Sequence, residues 1–474
     1  MIDVSTSIVE RLIPDFAARM EQIRTRERLP GLAVGIVGDQ ELIWWGGFGA
    51  ANLEAACTPG RQTLFRIASI TKTFTATAIL QLRDEGRLSL DDPLHRHLPE
   101  FSKACARAGT LEQVTLRRLL AHHSGLSTEP PFPVWDEIKF PTREALLAAI
   151  PRIEIVLPKD TAFKYSNLAF GLLGEVVARV SGLPYAQYLR SQILEPLGMF
   201  STVLELTDEL KPRLAVGYCP RAFDDDLEVA PYVSLGGMAA CGQLHSSVED
   251  LARWIALQFR VDGAPRSGPQ VLARETIAES HRPQYLEPDW SIGYCLGWRA
   301  TRAGDHVYHG HGGGLHGFAS YLLFSKTQKL GVICLANVWP HSGLLACATE
   351  IAETLLQGGW TAPQADRGEG PAHTPPAFDQ LLGLYEATPG IFAAIAYRQG
   401  RLLLEKSPLS DYLLHAPAIL EPTDDPAAFL VRGGRGAGER AVFRLAADAR
   451  APSFSLGGCV YRKVVGRMHD RTAL

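Results

Sequence analysis

The chain has 474 residues, of which 46% are hydrophobic and 21% are charged, and its formal net charge is −4. This balance is typical of a globular protein of two or three domains, and it lacks the basic footprint of a nucleic-acid-binding domain. No apolar run approaches the roughly 18 residues that cross a bilayer, and residues 1–10 lack the basic start and apolar core of a signal peptide. The eight cysteines are scattered without a C-x-x-C pair, as in reduced proteins. We therefore expect a cytoplasmic protein with no membrane or nucleic-acid partner.

The chain up to residue 360 predicts a mixture of helices and strands. Apolar spacing predicts an amphipathic helix over 8–27, and two apolar runs on either side of residues 38–40 predict a β-hairpin over 32–45. Further helices are predicted at 69–86, 114–122, 143–150, 167–181 and 184–195, followed by strands at 322–324 and 330–335 and a last helix at 341–357. This order favours an α+β sandwich, in which helices flank an antiparallel sheet and a second helical lobe is inserted.

The remainder of the chain predicts a linker and a small β domain. Residues 361–376 contain four prolines and no apolar pattern, which is typical of a linker. Short apolar segments then alternate with turns, at 381–385, 392–397, 401–404, 427–431, 441–445 and 459–461. This spacing predicts a small antiparallel barrel or sheet. The expected domains are therefore 1–360 and 377–474, with a packing or lid role for the second.

Ser69-Ile-Thr-Lys72 lies where a turn is predicted to enter an apolar helix. Residues three apart share one helix face, so Ser69 and Lys72 point the same way. A serine hydroxyl becomes a good nucleophile when a neighbour takes its proton, and a helix N-terminus favours developing negative charge. The alternative interpretation is a helix N-cap serine followed by a solvated lysine.

Two further motifs follow in the chain, Tyr165-Ser166-Asn167 and His311-Gly312-Gly313. In this order, S-x-x-K, Y-x-N and K/H-x-G resemble the three-part signature of the serine β-lactamase and penicillin-binding-protein superfamily. Segments 88–94, 119–126 and 235–251 also resemble family segments, so the resemblance covers roughly residues 8–355. It matches the class-C-like branch that contains esterases, D-aminopeptidases and stand-alone peptide cyclases. The predicted C-terminal β domain resembles the lipocalin-like domain of that branch.

The resemblance implies a role for each motif residue. Ser69 would be the nucleophile, Lys72 a cation or base, and Tyr165 the proton shuttle. Asn167 would bind Lys72 or the substrate amide. Because a tyrosine hydroxyl ordinarily loses its proton well above neutral pH, Tyr165 needs nearby positive charge, for which Lys72 and His311 are the candidates. The alternatives are a half-buried phenol bonded to backbone for Tyr165 and a helix N-cap for Asn167.

The glycines after His311 are the expected substrate contacts. Gly312 and Gly313 suit a strand edge that a substrate approaches closely. The backbone N–H of Gly314, with that of Ser69, would form the oxyanion hole. Most β-lactamases carry lysine in place of His311 and a hydroxyl residue in place of Gly312, so the resemblance disfavours β-lactam hydrolysis.

No metal or cofactor is expected. His309, His311 and His316 have no acidic or cysteine ligand beside them. Residues 312–317 match G-x-G-x-x-G, but they precede a predicted strand rather than a phosphate-binding helix. His122 and His123 precede a Ser-Gly pair and are expected to serve turn structure.

The sequence therefore predicts a serine enzyme that forms an acyl intermediate from an ester, thioester or amide of a small-molecule or peptide-like substrate. An esterase, a D-aminopeptidase and a stand-alone thioesterase that releases and cyclises a carrier-bound nonribosomal peptide remain open. A non-catalytic peptide-binding protein is the alternative from another class.

Overall fold

The structure is a computed structural model. It describes residues 16–25, 28–135, 137–220, 227–260, 270–339, 343–357, 378, 380–387, 392–398, 401–405, 418–434, 436–444 and 452–464. The predicted linker, 361–376, lies outside these residues.

The larger part of the molecule contains fourteen strands and ten helices within the described residues. The strands are β1 Gly31–Gly38, β2 Glu41–Gly49, β3 Phe65–Arg66, β4 Cys105–Ala106, β5 Glu154–Ile155, β6 Tyr218–Pro220, β7 Leu227–Val229, β8 His245–Ser246, β9 Tyr285–Leu286, β10 Ile292–Tyr294, β11 Arg299–Ala303, β12 His306–Leu315, β13 Phe318–Ser325 and β14 Leu330–Ala336. The helices are α1 16–25, α2 Thr71–Asp84, α3 Leu94–His97, α4 Leu116–Leu120, α5 Arg143–Ala148, α6 Asn167–Ser181, α7 Tyr185–Leu189, α8 Val248–Gln258, α9 Arg274–Ser280 and α10 Gly343–Gln357. None of these helices is both long and apolar enough to cross a membrane.

An antiparallel sheet of eight strands, in the order β2-β1-β14-β13-β12-β11-β10-β9, forms the centre of this part. Every residue of β13 and β14 is buried, because both faces of the sheet are covered. Alternate side chains point to opposite faces, so Ile333 and Leu335 pack towards α2 and α8, and Val332 and Cys334 pack towards α1 and α10. The predicted sandwich is confirmed.

Helix α2 lies inside the helical lobe and is buried along most of its length. It contains several threonines, whose hydroxyls are satisfied locally: Thr73 donates to Ile70 O at 2.8 Å and Thr75 to Ala240 O at 2.7 Å. A polar hydroxyl is tolerated in such an interior when it is hydrogen-bonded, so α2 can carry polar side chains through the core.

The predicted helices agree with the structure where it describes them, with differences at their ends. Residues 8–15 and 26–27 of the first predicted helix, and 341–342 of the last, lie outside the described residues. Helix α6 has the predicted bounds. Helix α4 is shorter than predicted, because Thr115 caps its start and the positive φ of His122, 58°, follows its end. Helix α7 continues as a π-helical turn over Arg190–Leu194.

The C-terminal part is a closed antiparallel barrel of eight strands. The strands are β15 Gly383–Glu386, β16 Phe392–Arg398, β17 Arg401–Glu405, β18 Ala418–Pro422, β19 Ala428–Arg432, β20 Arg440–Arg444, β21 Ser453–Leu456 and β22 Cys459–Lys463. The sequence predicted six of them. It missed β18 and β21, whose buried residues alternate with partly or fully exposed ones.

Candidate active site

Ser69 lies in a single 3-10 turn, Ala68–Ile70, that leads directly into α2. Its side chain is partly exposed, although the residues on either side are buried. Ala68 has a φ of 44°, a conformation that costs a non-glycine residue about 1–3 kcal/mol and that occurs preferentially at functional sites. Ile70 occupies the N-cap position of α2 without a side-chain cap, so Ser69 does not act as a helix cap. The turn instead presents the hydroxyl towards Lys72.

Lys72 is fully buried, and three acceptors surround its amino group. Nζ lies 3.0 Å from Ser69 Oγ, 2.8 Å from Asn167 Oδ1 and 2.7 Å from the backbone oxygen of Cys241. The amide and backbone oxygens can only accept, so two N–H groups of Lys72 are committed to them. The remaining N–H group of Lys72 points to the Ser69 hydroxyl. This geometry allows Lys72 to stabilise negative charge on Ser69 Oγ or to exchange a proton with it.

Asn167 is the first residue of α6, but it is not its cap. Ser166 Oγ accepts from Ala169 N and caps the helix, which leaves the Asn167 amide for the site. The Asn167 side chain accepts from Lys72 through Oδ1 and donates through Nδ2 to Glu129 Oε1 at 2.6 Å. Glu129 is buried. Sequence reasoning missed it, because an acidic residue in a proline-containing loop is usually solvated.

Tyr165 is buried between two imidazole rings and a lysine. The ring of His122 stacks on it at a centroid distance of 4.4 Å, and the ring of His311 lies 6.5 Å away. The Lys72 amino nitrogen lies 4.9 Å from the centre of the phenol ring. His122 Nδ1 accepts from Ser166 N at 3.0 Å, which fixes the orientation of the imidazole. His122 therefore has the expected turn function and also forms one wall around Tyr165.

His311 is a neutral group at neutral pH. Burial, together with the charge of Lys72, lowers the pKa of His311 to about 3. Its Nδ1 lies 2.6 Å from Gly312 O, and because a backbone oxygen can only accept, Nδ1 carries the proton. Nε2 is then a lone-pair acceptor. The expectation that His311 supplies positive charge to Tyr165 is therefore wrong.

Strand β12 lies very close to the 3-10 turn that contains Ser69. A Cβ atom on Gly313 would lie 2.2 Å from Ile67 O and 3.0 Å from Ser69 N, so only glycine allows this approach. The pairing of β12 with β11 ends at Gly310, so the backbone of the following residues has no strand partner on that side in the described residues. Gly312, Gly313 and Gly314 therefore line an open strand edge next to Ser69.

A small cavity of about 40 Å³ adjoins Tyr165 and His311. Its walls are mainly aromatic, with Phe163, Tyr294 and Trp298 among them, and the buried Arg299 adds a positive charge. Phe163 and Tyr294 stack at 3.9 Å, which makes this wall rigid. The cavity provides room for a small apolar group beside the two catalytic candidates.

The other histidines of the third motif lie apart from the site. His309 is buried and its Nε2 contacts the backbone oxygen of His281 at 2.9 Å, whereas His316 lies between Trp135 and Trp339. In the part of the chain that the structure describes, no three His, Cys, Asp or Glu side chains are grouped as a metal site would require.

Comparison with known proteins places this site in a family. The sequence is 28% identical over 317 residues to Protein flp of Staphylococcus aureus (strain COL), an alignment that covers 65% of this chain. The chain spans about 60% of the length of that relative.

Two solved structures match nearly the whole chain. The octameric penicillin-binding protein homologue from Pyrococcus abyssi has a TM-score of 0.63 and 24% identity, covering 95% of this chain and all of that one. SurE with D-Leu has a TM-score of 0.57 and 21% identity, covering 94% of this chain and 98% of that one. A D-stereospecific amidohydrolase from Streptomyces sp. has a TM-score of 0.57 and 24% identity, and the alignment covers 67% of this chain and 92% of the amidohydrolase chain. These similarities establish the sandwich fold, and the first two include the barrel.

The sequence pattern of the β-lactamase family matches residues 16–356, which include Ser69, Lys72, Tyr165, Asn167 and His311. The chain therefore belongs to the β-lactamase family.

Proposed function

We propose that this protein is a serine hydrolase or acyltransferase that cleaves an ester, thioester or amide of a small or peptide-like acyl substrate. One observation carries the proposal: a partly exposed Ser69 Oγ lies 3.0 Å from the amino group of a buried Lys72 whose other contacts are fixed. A nucleophile within hydrogen-bond reach of a positioned partner is the arrangement that acyl-enzyme chemistry requires.

In the acylation step, Ser69 Oγ attacks the carbonyl carbon of the substrate. Its proton passes to the Tyr165 oxygen, and the Lys72 amino group lies near both the phenol ring and the Ser69 hydroxyl, where its charge offsets the negative charge that develops. The carbonyl oxygen gains a negative charge that the N–H groups of Ser69 and Gly314 stabilise. When the intermediate collapses, the bond to the leaving group breaks and the leaving group takes the proton from Tyr165.

The second step transfers the acyl group from Ser69 to water or to an amine. The acceptor loses its proton by the same route, and Ser69 Oγ recovers a proton as the acyl ester breaks. A water acceptor gives hydrolysis, and an amine within the same substrate gives a cyclic product. The neutral His311 offers Nε2 as a lone-pair acceptor next to Tyr165, and it supports orientation of the substrate or of the phenol.

The absence of a charge on His311 disfavours β-lactam substrates. A lysine at this position would offer a permanent cation to a substrate carboxylate, and a histidine with a pKa near 3 does not. The aromatic side chains of the cavity beside His311 instead offer apolar contact to a group next to the scissile carbonyl.

The second candidate is a stand-alone thioesterase that releases and macrocyclises a carrier-bound peptide. The observation that favours it is the likeness of the whole chain, sandwich and barrel together, to the structure of SurE with D-Leu. The amidohydrolase from Streptomyces matches only 67% of the chain. A non-catalytic peptide-binding role is disfavoured by the intact contact between Ser69 and Lys72.

Intact-protein mass spectrometry tests the proposal. Wild type and Ser69→Ala are incubated with 4-nitrophenyl butyrate, a D-alanyl amide, a peptidyl thioester and a cephalosporin, and the products are analysed alongside. An acyl adduct or turnover in wild type only is expected. The substrate that reacts, and whether its product is linear or cyclic, distinguishes the candidates. Equal reaction of Ser69→Ala would refute the assignment of the nucleophile.

A further inference from the structure

One turn of the barrel reaches a buried lysine next to the catalytic candidates. Glu439 lies just before β20, in the connection from β19, and its carboxylate is buried against Lys164, with Nζ to Oε1 at 2.5 Å. Lys164 is fully buried. The same Glu439 Oε1 also accepts from the backbone N–H of Thr128 at 2.9 Å, and Lys164 donates to Thr128 Oγ1 at 2.7 Å. Glu439, Lys164 and Thr128 thus form a closed group across the barrel and the sandwich.

The connection between β19 and β20 is seated on the sandwich by its backbone as well. Arg107 Nη2 donates to Gly438 O at 2.9 Å. A Cβ atom on Gly438 would lie 2.8 Å from the side chain of Leu157, and the φ of this residue is 79°. A glycine before Glu439 therefore allows the turn to approach closely enough for the carboxylate to reach inside.

The group that Glu439 closes also holds the residues of the Tyr-x-Asn motif. Lys164 directly precedes Tyr165 in the chain. Thr128 O accepts from Asn167 N at 2.8 Å, and Glu129, the next residue, accepts from Asn167 Nδ2. One end of the motif is thus held through Lys164 and the other through the segment from Thr128 to Glu129.

The segment 127–129 has two further contacts, one with the Tyr-x-Asn motif and one with the barrel. Ser166 Oγ, in the middle of the motif, donates to Ser127 O at 2.7 Å. A Cβ atom on Gly458, in the turn between β21 and β22, would lie 3.4 Å from Glu129 Cβ. The barrel thus packs directly against the loop whose carboxylate orients Asn167.

Glu439 brings a negative charge from the barrel to Lys164 of the sandwich. Burial by itself raises the pKa of Glu439, but the charge of Lys164 and the hydrogen bonds from Lys164 and Thr128 outweigh it and hold the pKa below its usual range. Removing one partner of a buried ion pair is unfavourable, so without Glu439 the Lys164 side chain and the Thr128 backbone would rearrange. Because Tyr165 is the next residue, this movement would displace the phenol.

We propose that Glu439 is a positioning residue for Tyr165 and Asn167, so that the barrel completes the active site of the sandwich. The proposal rests on the proposed acyl chemistry of Ser69, and it deepens it by assigning a part of the catalytic geometry to the C-terminal domain. Glu439 itself touches neither Ser69 nor the reacting atoms.

The test compares full-length variants with an ester substrate, 4-nitrophenyl butyrate, after the fraction of active Ser69 has been titrated. Glu439→Leu is expected to lower kcat at least tenfold and to change KM less than threefold. Glu439→Gln keeps an acceptor for Thr128 N and Lys164 Nζ but loses the charge, so its kcat is expected to lie between those of Glu439→Leu and wild type. Arg432→Met, which removes an exposed ion pair with Glu421 within the barrel, is the matched control with kcat within twofold.

The double variant Lys164→Met/Glu439→Leu separates positioning from stability. It also removes the buried charge that Glu439 faced, so its melting temperature is expected to rise above that of Glu439→Leu, while its kcat remains low because Thr128 N still lacks its contact with Glu439. Recovery of wild-type kcat in the double variant would overturn the proposal, and so would a wild-type kcat in Glu439→Leu.

Hydrogen exchange gives a readout that does not depend on activity. Glu439→Leu is expected to speed the exchange of amides in 126–129 and 163–168 and to leave 72–84 unchanged. If wild type forms no acyl adduct with any substrate, the proposed function fails, and the exchange result still decides whether the barrel holds the motif. Unchanged exchange in both segments would refute the positioning role.

Discussion

The surroundings of Lys72 and the interior of the barrel both bury large side chains, but in opposite ways. Around Lys72 the buried groups are polar, and its amino group is bonded to Ser69, Asn167 and Cys241. In the barrel the buried groups are aromatic, and Phe454 stacks on Tyr461 at a centroid distance of 4.6 Å. An apolar interior tolerates many arrangements of similar volume, whereas a buried polar group requires each partner in place. The site therefore determines activity, and the barrel interior mainly determines stability.

The largest expected effect is the loss of activity on removal of the Lys72 charge. Lys72→Met keeps the length of the side chain but removes the group that faces Ser69 Oγ, so the acylation rate should fall by about 10² to 10⁴. Pre-steady-state hydrolysis of a nitrophenyl ester measures it. Lys103→Met, at an exposed position, is the control and should retain the wild-type rate. Acylation of Lys72→Met at the wild-type rate would remove Lys72 from the mechanism.

A substitution inside the barrel is expected to lower stability and to leave activity nearly unchanged. Phe454 is 1% exposed and contacts Tyr385, Phe443 and Tyr461, so Phe454→Ala should destabilise the protein by about 3–5 kcal/mol. Denaturant unfolding measures this free energy. Val442→Ala, on the outside of the barrel, should cost less than about 1 kcal/mol. At temperatures where the barrel stays folded, kcat of Phe454→Ala should be close to wild type, and a large loss of kcat would contradict the separation of the two regions.

Adding a methyl group at Gly313 should lower activity, while the rest of the fold stays largely unchanged. The added Cβ would meet Ile67 O at 2.2 Å, so β12 must move away from Ser69 N. Since the oxyanion hole depends on that spacing, Gly313→Ala should lower kcat about 10- to 100-fold. Gly60→Ala, where the nearest atom is 3.8 Å away, is the matched control. Equal kcat values for the two variants would exclude this part of β12 from the oxyanion hole.

The smallest effect at neutral pH concerns His316, which is 2% exposed between two tryptophans. Among the described residues neither of its ring nitrogens has a hydrogen-bond partner. His316→Phe should therefore stabilise the protein by about 1 kcal/mol at pH 7.5.

The pH dependence of that variant follows from the pKa of His316. Burial, with a contribution from the Arg66 charge, lowers this pKa to about 4. Below about pH 6.5 the unfolded chain binds a proton that the folded state does not, so stability is lost as the pH falls from about 6.5 towards 4. His316→Phe removes this loss, and its advantage should grow by about 2 kcal/mol between pH 7.5 and pH 5. Denaturant midpoints at the two pH values measure it, and a constant advantage would contradict the lowered pKa.

Much of the architecture could be read from local patterns. The period of apolar residues predicted α6 with the bounds it has in the structure, and the alternation in the C-terminal segment predicted most strands of the barrel. The three motifs predicted which side chains surround Ser69, because spacing within a helix or strand fixes the direction of a side chain. Strands β18 and β21 were missed: β21 has two apolar residues in four, and the three apolar residues that begin β18 were not recognised as a strand.

The sequence by itself determined the family, the position of the Ser-x-x-Lys motif at a helix start, and the residues of the Tyr-x-Asn and His-x-Gly motifs. The tertiary structure alone decided that Glu129 orients Asn167, that Cys241 O holds Lys72, that His311 is neutral and that Glu439 of the barrel reaches Lys164. The physical reason is that these contacts join residues far apart in the chain, and their strength comes from burial. The sequence does not show whether a glutamate or a histidine is exposed to water or buried in the core, because the fold decides which environment the side chain occupies.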